Sequence, residues 1–453
     1  MNILVKDKSF YKTLLTLCLP IALQQLITSG VNMMDTIMLG QVSETALSAA
    51  SMATQVHLVF QFISMGVGTG AAVLYARYWG SNDRDSLKKS ITVSFRLILL
   101  VGAIYTLIAA FFPTAVMGLL TNDPVVAAEG VKYLNWSIPC YLLMGLTVVS
   151  TCILRNIHKA NLPFYTSIIA FVVNIFFNWV FIFGKLGAPA MGVAGAALGT
   201  TIARVVETGV ILVYLLGIDK EMGYRVRNLL EPCGDLVREF LRVTIPTIIS
   251  DVFMGVGNSM TAAVGGRISQ SFMAGYSITS VVVNIILIFS SSLAQSTQIV
   301  VGNTLGEGNI KDVRKQCNTL LLLSAAVSIV ISVLLLALIP VILKGYHLSS
   351  ETKEVARELL QAQALIAIFL LLSSVITKGI LRAGGDVRFL MIGDVVFLWC
   401  CSVPLGYLSG VVWGWSPFLV FIFLRIDYVL KLILCLFRYK GNKWIKKIRH
   451  AGE

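Results

Sequence analysis

Asp35 lies in the run Asn32-Met-Met-Asp35-Thr-Ile-Met-Leu-Gly40, a carboxylate inside a largely apolar stretch. A charge within a membrane span is costly even on insertion scales, so such a residue is a functional candidate. Asn174 and Asn178 are four residues apart and share a helix face, and Thr200 follows in the next apolar stretch. One carboxylate, two amides and a hydroxyl offer several hard oxygens, a set suited to a small cation such as Na+. The carboxyl can instead hold a proton. A third reading makes Asp35 a cap or a link between helices, since polar side chains also hold membrane bundles together. Asp35, Asn174, Asn178 and Thr200 are the candidate cation or proton coupling residues, with Asp35, Asn174 and Asn178 the candidate Na+ ligands.

Asp251, Met254 and Asn258 are spaced along one face of a later stretch and are the candidate substrate-cleft residues, with a local hydrogen-bonding role for Asp251 as the alternative. Arg204 with Glu207, and Arg425 near Asp427, read as neutralised structural pairs. Asp394 reads as an interfacial structural residue, and His57 as a packed, hydrogen-bonded histidine rather than a proton shuttle. Gly66-Val-Gly68-Thr-Gly70 sits within a span, where it serves close helix packing. There is no GxxxxGK[ST] loop to drive transport with ATP, no HExxH and no nucleophile constellation. The eight cysteines form no CxxC pair. No enzyme activity and no cofactor are expected, only Na+ or H+ as coupling ion.

The elements that position these residues follow from composition. The chain is 57% hydrophobic and 13% charged, against roughly 25% charged in soluble domains. About 20 apolar residues cross a bilayer. Spans fall near 13–36, 51–76, 91–112, 131–154, 163–184 and 190–217, then near 240–262, 277–302, 316–343, 357–380, 388–410 and 414–438. The expected fold is an all-α integral membrane protein of twelve helices. The first run, preceded by Lys6, Lys8 and Lys12, outlasts a signal-peptide core and reads as a permanent span.

The net charge of +13 does not imply nucleic acid, because most Lys and Arg fall at the termini and in the even-numbered loops or their edges. Lys132, Lys185, Arg267, Lys344, Lys353 and Arg357 fall in the opposite loops, and only Arg204 and Arg425 fall fully within spans. This positive-inside pattern makes both termini cytoplasmic in a multi-pass protein of the cell membrane. The basic tail from Arg438 to Arg449 reads as topology-fixing rather than as a lipid-binding device.

Sliding the chain along itself until Pro20 falls on Pro246 also sets Met34 on Met260, Gly40 on Gly266 and Gly80 on Gly306. A slip of one further position places Ile153-Leu154-Arg155 on Ile380-Leu381-Arg382. Such self-similarity marks a duplicated unit. Six spans per unit is an even number, so the two six-helix bundles are related by a pseudo-twofold axis along the membrane normal, with a cleft exposed alternately by rocking. The expected division is an N-terminal lobe over 1–217, a cytoplasmic linker over 218–239, a C-terminal lobe over 240–438 and a basic tail over 439–453. A monomer in the lipid bilayer, acting on small organic molecules, is expected.

Several motifs resemble those of the multidrug and toxic compound extrusion (MATE) transporters. They are Met34-Asp35-Thr36 with Gly40, Asn174 through Asn178 to Phe183-Gly184-Lys-Leu-Gly187-Ala-Pro189, and Gly192-Val-Ala-Gly195-Ala-Ala to Thr200. Gly302-Asn-Thr-Leu-Gly306 and Gly379-Ile-Leu-Arg382-Ala-Gly384 belong to the same set. The resemblance covers nearly the whole chain. It implies export of amphipathic, cationic organic compounds in exchange for Na+ or H+, with Asp35, Asn174, Asn178 and Thr200 at the family's N-lobe cation site. Asn178 stands where one branch has an aspartate, leaving one carboxylate in the set. Met254 and Leu371 stand where NorM-type members carry a glutamate and an aspartate, so coupling is expected to rest on the N-lobe. A flippase for lipid-linked oligosaccharide, or a dedicated metabolite exporter of the same superfamily, is the alternative. Two intramembrane arginines are too few for a strong pyrophosphate site.

Overall fold

The structure, a computed structural model, describes residues 4–346 and 348–448. Its first repeat is built from α1 (Lys8–Gly40), α2 (Glu44–Gly80), α3 (Arg84–Phe111), α4 (Pro124–Asn156), α5 (Asn161–Phe183) and α6 (Val193–Val213). The second comprises α7 (Gly234–Ile268), α8 (Gln270–Gly306), α9 (Ile310–Lys344), α10 (Ser350–Ser374) and α11 (Val387–Val396), followed by α12 (Pro417–Leu424) and α13 (Asp427–Lys440). Wider π-helical turns prolong α6 to Ile218, α10 to Leu381 and α11 as far as Val412. Eleven helices among the described residues are long and apolar enough to cross a membrane. The twelfth crossing, expected as one span, is broken at Arg425 and Ile426 into α12 and α13. The helix α7 starts inside the segment read as linker.

The helices start where the sequence supplies caps. Asp83 accepts a hydrogen bond from the Ser86 N–H at 3.0 Å, Ser269 from Phe272 at 3.0 Å and Asp123 from Val125 at 2.8 Å, each satisfying an orphan donor of a first turn. Apolar side chains on the outside of α9, among them Leu322, Val330, Val333, Leu334 and Val341, stay exposed in the folded chain. A contiguous apolar face of this kind is suited to lipid.

Two compact units emerge. One combines the described part of Met1–Cys18 with Ala76–Asn82 and Ile249–Ile448; the other combines Leu19–Tyr75 with Asp83–Ile248. In the second unit the Gly66-Val-Gly68-Thr-Gly70 stripe packs as expected: a Cβ at Gly66 would lie 2.6 Å from Ile248 Cα, one at Gly68 2.7 Å from Cys152 Sγ, and one at Gly70 2.8 Å from Thr244 Cα. In the first unit the end of α2 crosses the end of α8 with reciprocal contacts. A Cβ at Gly80 would fall 2.0 Å from the Asn303 carbonyl oxygen, and one at Gly306 2.1 Å from that of Arg77. Arg77 maps onto Asn303 in the same register that maps Gly80 onto Gly306, so the two contacts are each other's counterparts in the duplicated unit.

The basic tail, read in the sequence as topology-fixing, is docked as far as Lys446. Trp444 is fully buried and lies against Gly384, where a Cβ would sit 2.2 Å from the indole. The Lys446 N–H donates to the Gly384 carbonyl at 2.8 Å, and Arg77 donates to the Lys446 carbonyl at 2.7 Å and the Ala383 carbonyl at 2.9 Å. Arg438 and Lys446 both pair with Asp386. Residues 449–453 of the tail lie outside the described residues. Trp444→Ala should therefore lower the thermal unfolding midpoint of the purified protein by the equivalent of about 3–5 kcal/mol, the usual cost of emptying a buried aromatic site. An unchanged midpoint would mean that the tail is not packed.

Candidate functional site

The candidate coupling residues come together in one cluster. Asn178 Nδ2 donates to Asp35 Oδ1 at 2.5 Å and to Asn174 Oδ1 at 3.2 Å. Thr200 Oγ1 donates to Asp35 Oδ2 at 3.4 Å, and Asn174 Nδ2 donates to Thr200 at 3.2 Å. Asn174 and Asn178 are buried, while Asp35 and Thr200 are partly exposed.

Close packing of α5 on α6 makes this possible. Gly195 and Gly199 form a small-xxx-small pair, the spacing that lets two membrane helices approach backbone to backbone. A Cβ at Gly195 would lie 2.5 Å from the Phe181 backbone, and one at Gly199 2.2 Å from Asn178 Oδ1. The motif was legible in the sequence; its role in seating Asn178 was not.

The donor set fits a small cation in one specific respect. The Asp35 carboxylate, Asn174 Oδ1 and Thr200 Oγ1 belong to one hydrogen-bonded set, hard oxygens of the type sought by alkali and alkaline-earth ions, while Asn178 Oδ1, against Gly199, is a buried acceptor with no hydrogen-bond donor among the described residues. Thr28, Ser167, Asn174, Thr200, Arg204 and Glu207 line a cavity of about 20 Å³ beside the cluster, room for about one water-sized particle. Arg204 pairs with Glu207 at 2.7 Å, as expected. No group of three or more His, Cys, Asp or Glu that could hold a metal ion occurs among the described residues; the Asp35 cluster has a single carboxylate.

The three candidate cleft residues of α7 each face a different basic residue. Asp251 pairs with Arg382 at 3.5 Å, Met254 Sδ receives a contact from Lys431 Nζ at 3.7 Å, and Asn258 Oδ1 accepts from Arg425 at 2.7 Å. The first of these is a repeat feature. Arg155 donates to Gln24 at 2.7 Å, and the register that sets Arg155 on Arg382 also sets Gln24 on Asp251. Asp251 thus holds the place of a structural tie.

Two expected roles differ in the structure. Arg425 does not reach ion-pair distance of Asp427, because it caps the end of α12 and Asp427 opens α13 beyond the break. Asp427 instead pairs with Lys431 at 2.9 Å, at the i,i+4 spacing that would have revealed it, and Lys431 reaches Asp394 at 3.3 Å. Asp394 is consequently a buried ion-pair member rather than an interfacial residue; it also accepts from Ser250 at 2.6 Å. Lys431 joins Arg204 and Arg425 as a basic residue inside the spans. His57 packs between the rings of Tyr133 and Tyr141.

A twice-repeated set of membrane-crossing helices with an internal polar cluster is the architecture of a multi-pass membrane transporter. The model of the MatE family matches residues 20–180 and 246–408, two copies beginning at Pro20 and Pro246, and the chain belongs to that family. It is 22% identical over 447 residues to an uncharacterized transporter, YisQ, of Bacillus subtilis, covering 97% of this chain and 96% of that protein. It is 23% identical over 442 residues to the probable multidrug resistance protein NorM of Thermotoga maritima, covering 96% and 93%. A solved outward-facing multidrug resistance MATE family transporter of the MOP superfamily superposes with a TM-score of 0.86 at 16% identity, over 97% of this chain and 99% of that one.

Gly199→Ala should destabilise the protein by about 1–3 kcal/mol, the usual cost of overpacking. Gly209→Ala, with nothing within 4 Å of its Cβ, should not; equal melting curves for the two variants would refute the packing account. Lys431→Met leaves Asp394 and Asp427 buried without their cation. It should cost about 3–5 kcal/mol, and adding Asp394→Asn and Asp427→Asn should recover part of that loss in thermal denaturation.

Proposed function

We infer that this chain is a secondary antiporter of the cell membrane, with both termini cytoplasmic. It exports amphipathic organic compounds, cationic drugs and xenobiotics among them, in exchange for Na+ or H+ bound at Asp35. The observation that carries this reading is the Asp35 cluster: a carboxylate held by Asn178 and Thr200 with no basic residue within ion-pair distance among the described residues. An unpaired carboxylate inside a span is costly unless a cation or proton neutralises it. A ligand bound there and nowhere else shifts a two-state protein by its differential affinity for the two states. In this scheme the coupling ion enters from outside, favours one arrangement of the N-terminal helices and lowers affinity for substrate in the cleft, and rocking then releases the substrate outward. The multidrug resistance relatives support the substrate class.

Proteoliposomes loaded with a fluorescent organic cation test the scheme by a gradient swap. Transport should follow either an imposed sodium gradient or an imposed pH gradient, and Asp35→Asn should reduce it to the level of protein-free liposomes. Gradient-driven transport that survives Asp35→Asn would remove Asp35 from the mechanism.

A further inference from the structure

Arg425 is 8% exposed, and its partners are neutral. Nη1 donates to Asn258 Oδ1 at 2.7 Å and Nη2 to the Tyr276 hydroxyl at 3.1 Å. Its Nε is buried with no acceptor among the described residues. No carboxylate stands within ion-pair distance of it among the described residues, and Asp427, two residues on, is turned to Lys431 and Ser402. Other buried cations of the second repeat differ: Arg382 has Asp251, and Lys431 has both Asp394 and Asp427. A guanidinium is always charged and presents five donors in a fork matched to a carboxylate. Asp427 attracts it from beyond ion-pair distance, but a charged donor left inside a span without an acceptor is costly.

Its place in the repeat adds a second observation. The register that sets Pro20 on Pro246 carries Asp35 onto Thr261 and Gly199 onto Arg425. Thr261 Oγ1 lies 3.3 Å from the Tyr276 hydroxyl, the same hydroxyl that accepts from Arg425. The depths also correspond. Asp35 is five residues from the end of α1, about 8 Å at 1.5 Å per residue, while Tyr276 is six from the start of α8 and Arg425 eight from the start of α12, about 9 and 12 Å. Where the first repeat has a carboxylate among neutral donors, the second has a guanidinium among neutral acceptors.

We propose that Arg425, with Asn258 and Tyr276, is a receptor for the carboxylate of a zwitterionic amphipathic substrate. The incoming carboxylate accepts hydrogen bonds from Nε and the adjacent Nη in the bidentate manner and supplies the acceptor that Nε lacks. Asn258 is partly exposed. The proposal rests on the reading of the chain as an exporter of organic compounds and adds a substrate feature to it: a negative group alongside the cationic one.

Binding of rhodamine B, which has a free carboxyl group, and of its ethyl ester tests this by fluorescence anisotropy on the full chain in nanodiscs, without a gradient. With gluconate as the only bulk anion, the acid should bind about tenfold more tightly than the ester, the scale of a buried charge-assisted hydrogen bond. Arg425→Gln should abolish that preference by weakening the acid alone, and Arg425→Lys should retain part of it. Exchanging gluconate for chloride and weakening only the acid would support the same site, with a small anion competing for the guanidinium. Equal binding of both dyes to the unmodified protein overturns the proposal, whatever the variants do. So does an Arg425→Gln effect that weakens acid and ester alike, as lost packing would. Ester binding without acid preference leaves the exporter reading standing; failure of both dyes to bind counts against both readings.

Discussion

Hydrocarbon offers no hydrogen bonds, so every polar group carried into the spans must find its partner within the protein. That constraint accounts for the construction at each scale. The backbone is satisfied by helices long enough to cross, such as the 33 residues of α1 and the 37 of α2. Serine and threonine hydroxyls fold back onto their own helices, as Ser64 does to the Phe60 carbonyl and Thr69 to that of Met65, both at 2.8 Å. Charges gather in sets: Lys431 between two aspartates, Arg204 with Glu207, Arg155 on the Gln24 amide. With apolar surface both inside and outside the bundle, burial alone has little power to choose which helices meet. Close approach at small residues takes over that task, and the glycines of α2, α6 and α8 mark where it happens.

Duplication supplied the scaffold twice, and the two copies kept the parts that hold helices together while parting in chemistry. The Arg155–Gln24 and Arg382–Asp251 ties are the same connection in each repeat, with the acceptor changed from amide to carboxylate. The crossing at Gly80 and Gly306 is shared by its nature, since each copy contributes one half. Asp35 and Thr261 are equivalent in position and opposite in role, and in the register that sets Arg155 on Arg382 the counterpart of Asn178 is Leu405. Backbone approach tolerates few substitutions; a polar side chain aimed inward is free to change if its partners change with it.

Those different tolerances explain what was legible in the sequence. Spans, duplication and the polar residues of the Asp35 cluster could be read because apolar length, repeated Gly and Pro, and an ionisable residue in an apolar run are one-dimensional signals. The break at Arg425 was not visible, since no Pro or Gly marks it and apolar residues resume on either side of Lys431 in α13. Lys431 was misplaced for a related reason. Near the end of a span, hydropathy cannot separate a lysine that reaches for water from one that turns inward to Asp394 and Asp427. The docked tail was hidden by its basic residues, whereas its anchor, Trp444, depends on the bare backbone of Gly384 far away in sequence.

Charge placement also distinguishes buried ionisable residues with a fixed counter-charge from those held by neutral groups. Lys431, Arg382 and Arg204 each have a fixed counter-charge, so they are neutralised in every state in which those helices stay together. Asp35 and Arg425 have none within ion-pair distance among the described residues, and both are held by neutral amide and hydroxyl groups that orient a charge without cancelling it. Such a design is expensive where water is absent. Under the proposed function a particle of opposite charge would offset that cost, and the stability of the surrounding helices would then depend on occupancy. A fixed ion pair would lock one arrangement; an unpaired charge makes the arrangement answer to what arrives, which is the property a transporter's helices need.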